Sequence, residues 1–162
     1  MKGFTPGLLD RLMDERRATA PGSPLSIEGF KDSVARDLEA LLNTRIGIDA
    51  AHLAGYPHAR DSILHYGLID FAGFCLTSSI DRDAVCASIE QAIATHEPRL
   101  CEVQAVLEPD AGDVNRLHFA IHARLAVQGT FESVNFNAVL QPSSLHYEIN
   151  RAARPSRSRD AI

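Results

Sequence analysis

The stretch Leu117-His118-Phe119-Ala120-Ile121-His122-Ala123-Arg124-Leu125-Ala126-Val127-Gln128 sets Leu117, Phe119, Ile121, Ala123, Leu125 and Val127 on one side of an extended chain. His118, His122, Arg124 and Gln128 fall on the other side. A period of two over this length is the mark of a half-buried strand. Upstream, Cys101, Val103, Ala105 and Leu107 alternate with Glu102, Gln104 and Glu108, and Pro109-Asp110-Ala111-Gly112-Asp113 turns the chain. Downstream come Val134, Phe136, Ala138 and Leu140, with a phase break near Ser133 that predicts a β-bulge. Leu145, Tyr147 and Ile149 follow the turn Gln141-Pro142-Ser143-Ser144. Four strands joined by turns predict an antiparallel meander.

Before Pro98 the apolar period is helical. Ile27, Phe30, Val34, Leu38, Leu41 and Leu42 recur at three- and four-residue steps between charged residues, after a cap supplied by Ser23-Pro24 or Ser26. A short helix is expected around His58 to Tyr66, closed by Gly67. A further helix starts at Ser78 or Ser79, buries Val85, Ile89, Ala92 and Ile93, and stops before Pro98. The fold class is therefore α+β, with N-terminal helices packed on one face of a C-terminal antiparallel β-meander.

At 162 residues, 45% of them hydrophobic, the chain is sized for one domain with a core that needs no disulfide or metal. Its formal charge of −5 is unevenly placed. Residues 1–150 hold twelve Lys and Arg against twenty Asp and Glu, and residues 151–162 hold four Arg against one Asp. An acidic body with two lysines argues against nucleic acid as a partner. Leu8, Leu9, Leu12 and Met13 form a short apolar helical segment that must dock on something to persist, and Ala18 to Pro24 reads as a linker. Residues 1–25 are thus an N-terminal docking segment and linker, 26–150 the α+β domain, and 151–162 a basic, disordered tail. The N-terminus lacks a signal peptide's apolar run and no stretch has eighteen apolar residues, so a cytoplasmic location without membrane insertion is expected.

Catalytic patterns are not evident. Cys75, Cys86 and Cys101 lack zinc spacing and read as reduced thiols, and His118 and His122 stand roughly 13 Å apart on a strand, too far to share an ion. No cofactor, metal or catalytic residue is assigned. The compact polar feature is Glu97-Pro98-Arg99, at the junction of the last helix and the first strand. Proline fixes the backbone there, and the guanidinium can offer a two-pronged fork to a partner carboxylate. The alternative is a helix terminator with two solvated charges.

Arg36-Asp37-Leu38-Glu39-Ala40-Leu41-Leu42-Asn43-Thr44-Arg45, then Tyr56-Pro57, Ser62-Ile63-Leu64-His65-Tyr66-Gly67-Leu68-Ile69-Asp70 and Glu97-Pro98-Arg99 occur in that order. The combination resembles the TssE baseplate subunits of bacterial type VI secretion systems, relatives of the phage T4 baseplate wedge protein once called an acidic lysozyme. His65 stands where that family usually has Asn, Ile69 where it has Pro, and Ala40 where Trp is common. The resemblance implies a non-enzymatic wedge component on the cytoplasmic side of the inner membrane. Its partners would be the wedge subunits TssF, TssG and TssK and the sheath subunits TssB and TssC. It further implies wedge contacts at Glu97, Pro98 and Arg99, and strand addition to a sheath subunit by the terminal hairpin, around Val134, Phe136, Leu140, Tyr147 and Ile149. An exposed edge at the end of a meander is a template for such β-augmentation. Two other readings are a peptidoglycan-cleaving muramidase with Glu97 as general acid, and a small binding module of unknown partner. Arg99, two residues on, favours the charged carboxylate where a general acid must hold its proton.

Overall fold

Ser26 is extended, and its Oγ accepts a hydrogen bond from the Gly29 N–H at 3.1 Å, satisfying an amide that a helix's first turn leaves open. Of the two predicted caps, this is the one in place. Helix α1 (Ile27–Leu42) follows and buries Phe30, Val34, Leu38, Leu41 and Leu42 at the predicted steps. The computed structural model describes residues 4, 25–71, 73–75, 78–108, 116–127, 129–141, 144 and 146–151. Residues 5–24 and 152–162, where the docking segment and the basic tail were placed, lie outside the described residues. Phe4 pairs with Leu25 through two backbone hydrogen bonds, and its ring stacks on Phe30 with centroids 4.7 Å apart.

The single short helix expected at His58 to Tyr66 is two pieces, α2 (Pro57–Arg60) and a 3₁₀ turn at Ile63–His65. Ser62 makes the break: its hydroxyl donates to the Ala59 carbonyl and accepts from the Leu64 N–H, competing with the helical ladder. Gly67 then takes φ of +120° because the chain crosses Thr44 closely; a Cβ there would stand 2.5 Å from the Thr44 carbonyl oxygen. Two backbone bonds lock this crossing, Leu68 N–H to Thr44 O and Ile46 N–H to Leu68 O, each 2.9 Å.

Helix α3 (Ser79–His96) is capped by Ser78 and buries Val85, Ile89, Ala92 and Ile93, as the periodicity predicts. Strands β1 (Leu100–Leu107), β2 (Leu117–Val127), β3 (Thr130–Gln141) and β4 (His146–Arg151) form one antiparallel sheet in the order β1-β2-β3-β4. The α+β arrangement is the expected one. On the inner face Phe119 lies opposite Ala138 and Ala123 opposite Val134, while Ile121 lies opposite Phe136 and Leu117 opposite Leu140. These side chains join those of α1 and α3 in one apolar core.

The bulge is not where the phase break placed it. Strands β2 and β3 pair without interruption from Leu117↔Leu140 to Val127↔Thr130. Phe131 lies on the outer face, 55% exposed, with the Arg124 guanidinium 4.7 Å from its ring centre. The irregularity lies instead in β1 between Cys101 and Gln104, where Glu102 has φ of +52°. Its carboxylate reaches across to Arg124 at 2.7 Å, a cross-strand tie over the bulge.

Tyr147 is fully buried, and its hydroxyl has no hydrogen-bond partner among the described residues. Burial pushes its pKa well above the ordinary 10.0. The folded chain therefore keeps a proton that the unfolded chain releases near pH 10, so stability is intact below that pH and falls as pH rises past it. Tyr147→Phe should be neutral or stabilising by up to ~1 kcal/mol at neutral pH, because it removes an unsatisfied buried oxygen. It should also reduce the alkaline loss by about 1.4 kcal/mol per pH unit. Urea unfolding of both proteins at neutral pH and above pH 10 measures the two effects; a markedly destabilised Phe variant would show the hydroxyl to be satisfied.

Candidate functional site

Three of the sequence motifs meet at one corner. The Glu97 N–H completes α3 by donating to Ile93 O at 2.8 Å, and the Leu100 N–H donates to Glu97 O at 3.0 Å. Residues 97–100 are thus a β-turn with Pro98 at its second position, where the ring's fixed φ is at home. The turn brings side chains two residues apart onto the same side. Arg99 Nε donates to Glu97 Oε1 at 2.5 Å, and Arg99 Nη2 donates to the other Glu97 oxygen. The same Nη2 donates to Asp37 Oδ2 on α1, 62 residues earlier in the chain, at 2.5 Å. The guanidinium carbon lies 5.8 Å from the Phe30 ring centre, and the Arg99 carbonyl accepts from the Ala126 N–H on β2 at 2.9 Å.

Burial decides what this corner does. Glu97 is only 5% exposed, whereas the side chains of Arg99 and Asp37 keep 25% and 39%. The two charges are not simply solvated: within the chain the Arg99 fork serves Glu97 and Asp37. Arg99 joins the ends of α3 and β1 to the middle of α1, and the two carboxylates raise its pKa against the opposing effect of burial. They also disfavour the tyrosinate nearby: Tyr66 is raised first by desolvation and then by Asp37 and Glu97.

The hairpin residues Val134, Phe136, Leu140, Tyr147 and Ile149 all point their side chains into the core. Only their backbone and the residues between them face outward. Nor is the outer edge of β4 bare. Asn43 Nδ2 donates to Tyr147 O at 2.8 Å, and Asn43 Oδ1 accepts from the Tyr147 N–H at 2.8 Å. Glu39 Oε2 accepts from the Ile149 N–H at 3.2 Å. The opposite edge is treated alike: Glu90 Oε1 on α3 accepts from the Ala105 N–H at 2.8 Å, and the Leu107 amide faces the Cys86 sulfur, whose pKa burial raises. These edge contacts were not read from the sequence. The available signal was that Glu39 and Asn43 stand four apart beside the buried stripe of α1, where a polar side chain reaches a sheet rim.

Most of the Arg36-to-Arg45 motif has internal work. Asp37 holds Arg99, Leu38, Leu41 and Leu42 fill the core, Glu39 and Asn43 close an edge, and Thr44 meets Gly67 and Leu68. Arg45 Nη1 donates to the Leu42 carbonyl at 2.9 Å. The histidines at 118 and 122 lie on the outer sheet face, His122 bonded through Nδ1 to Asn135 Oδ1 at 2.9 Å. Among the described residues no three His, Cys, Asp or Glu gather as a metal ion requires, and no helix is long and apolar enough to cross a membrane.

Arg99→Ala should cost about 3 kcal/mol, the low end for breaking a buried pair, since it strands Glu97 while Arg99 itself is partly solvated. Asp37→Asn should cost less than ~1 kcal/mol because that carboxylate is half in water. Equal losses in denaturant unfolding would contradict the ranking. Asn43→Ala should cost about 1–3 kcal/mol by orphaning both polar groups of Tyr147. A variant as stable as the wild type would show that the edge does not need Asn43.

With the geometry in place, the comparisons with known proteins have a structural context. No curated protein sequence matches the chain. The family model described as baseplate wedge protein gp25 matches residues 28–130, which takes in α1, the Thr44–Gly67 crossing, α3, the Glu97–Arg99 corner and the first two strands. That match covers more than half of the 162 residues, and the chain belongs to the gp25-like family of baseplate wedge proteins.

Proposed function

We propose that this chain is a non-enzymatic structural subunit of a type VI secretion baseplate wedge, assembling with TssF, TssG and TssK on the cytoplasmic side of the inner membrane. In this reading it also receives the first ring of the sheath subunits TssB and TssC. The wedge family match carries the proposal, and the ordered motifs of the type VI branch refine it. The internal ties support a scaffold: α1, α3 and the sheet are fixed to each other by one shared arginine and by side chains along both sheet rims. A rigid body of this kind transmits position between neighbours.

Partner contact at Glu97, Pro98 and Arg99 would start from charges already paired within the chain. The charges are committed within the chain, so their role toward a partner is to set the angle of the corner, with Pro98 as its exposed surface. For sheath docking, an incoming strand at β4 would replace Asn43 and Glu39 at the amides of Tyr147 and Ile149, exchanging like hydrogen bonds for like. The muramidase reading asks Glu97 to donate a proton, yet both of its oxygens accept from Arg99 and the side chain is buried.

Co-expression of the chain with the remaining wedge subunits, followed by size-exclusion chromatography, should give one co-eluting complex at low and moderate salt. Separate elution at both would overturn the proposal. The purified protein should leave a peptidoglycan suspension turbid; clearing that is abolished by Glu97→Gln would establish the enzyme instead.

A further inference from the structure

Helix α1 carries a polar stripe beside its apolar one. Glu28, Asp32, Glu39 and the capping Asn43 follow one another at helical spacing, which at 3.6 residues per turn gathers them within about 60° of the helix circumference. Each of them meets β4. Asn43 holds both backbone groups of Tyr147, and Glu39 accepts from the Ile149 N–H. Glu28 and Asp32 both accept from the Arg151 guanidinium, Asp32 Oδ1 at 3.0 Å from Nε. Tyr147, Ile149 and Arg151 are alternate residues of one strand, so these ties form successive rungs between α1 and the β4 edge.

The rungs differ in kind. At Tyr147 and Ile149 a side chain satisfies backbone amides, and removing it leaves those amides bare. At Arg151 the rung is a pair of ion contacts in water: the side chains of Arg151, Glu28 and Asp32 are 36%, 60% and 57% exposed. Water solvates all three when they part, so this rung opens at small cost. A strand adding at β4 must take the place of the rungs. Starting at Tyr147 would break both Asn43 bonds at once. Starting at Arg151 breaks only solvated ion pairs, after which each amide exchanges a side-chain bond for one from the incoming strand.

We infer that α1 is a built-in cover of the β4 edge, displaced in order from Arg151 towards Tyr147, and that the latch of Arg151 with Glu28 and Asp32 sets how often the cover opens. Its use in capturing a sheath strand rests on the wedge reading proposed above. The latch itself is a property of the chain alone.

Amide hydrogen exchange on the isolated full chain reads the cover without any partner. Arg151→Gln should speed exchange of the Tyr147 and Ile149 amides by about threefold or more, as expected for the loss of two exposed ion pairs. The Ala105 amide, capped by Glu90 on the opposite edge, opens without disturbing the latch and should keep its rate. Asp32→Asn removes one ion pair and should give part of the effect; it serves alone if Arg151→Gln does not fold. Salt at 1 M, where the Debye length is about 3 Å, should speed the same two amides in the wild type and add little in Arg151→Gln. Unchanged rates at Tyr147 and Ile149, or equal acceleration at Ala105, overturns the inference. Co-elution with TssB and TssC then tests the order of displacement, which Arg151→Gln should strengthen by a similar factor. Faster exchange with unchanged co-elution overturns entry from the Arg151 end. A wild-type chain that binds no sheath subunit overturns the sheath reading, and leaves the latch to be judged on the exchange rates.

Discussion

A single guanidinium ties together three parts of the chain that otherwise meet only through apolar packing and the sheet-edge bonds. Arg99 begins the sheet, Glu97 ends α3 and Asp37 lies midway along α1, and these three side chains meet where the chain changes from helix to strand. Arginine suits the task because its planar fork serves two carboxylates at once and stays charged when partly buried. Pro98 makes the arrangement local and cheap in entropy: with φ already restricted, the turn loses little freedom in bringing Glu97 and Arg99 to the same side. The buried Glu97 is tolerable only because both its oxygens are engaged.

A second constraint follows from the architecture. A four-stranded open sheet has two edges, each presenting amides that must find partners or invite another chain. Here each long helix supplies the partners for the strand it lies beside, α1 for β4 and α3 for β1. The edges are closed by side chains and not by further strands. Such closure is reversible, since a side chain can rotate away where a paired strand could not. The protein thus remains a discrete unit alone, and an incoming strand of matching register still has a surface to compete for.

The sequence disclosed what depends on local pattern. Alternation located all four strands, three- and four-residue spacing located α1 and α3 with their buried stripes, and proline marked the corner. It failed where the deciding contact is distant. Nothing near Asp37 signals a bond to a residue 62 positions away, and nothing near Asn43 signals a strand 104 positions away. It misled where one side chain had two plausible settings. The phase break near Ser133 implied a bulge, although β2 and β3 pair without interruption and Phe131 takes a place on the outer face beside Arg124. Ser62 similarly interrupts a stretch whose composition permits a continuous helix, because its hydroxyl finds the backbone first.

These internal ties separate two properties that a family motif easily merges. Asp37, Glu39, Asn43, Gly67, Glu97 and Arg99 close and orient the fold, so within the chain their identity specifies the shape of the subunit. Other residues are not consumed by the fold. Two surfaces meet that description: the outer face of the sheet, with Val106 and Phe131 exposed among histidines and amides, and the segment around Ile63 and Leu64 beside α3. The second adjoins the charged corner through His96, which bonds the His65 carbonyl one residue before Glu97, so the end of α3 serves both the corner and this segment.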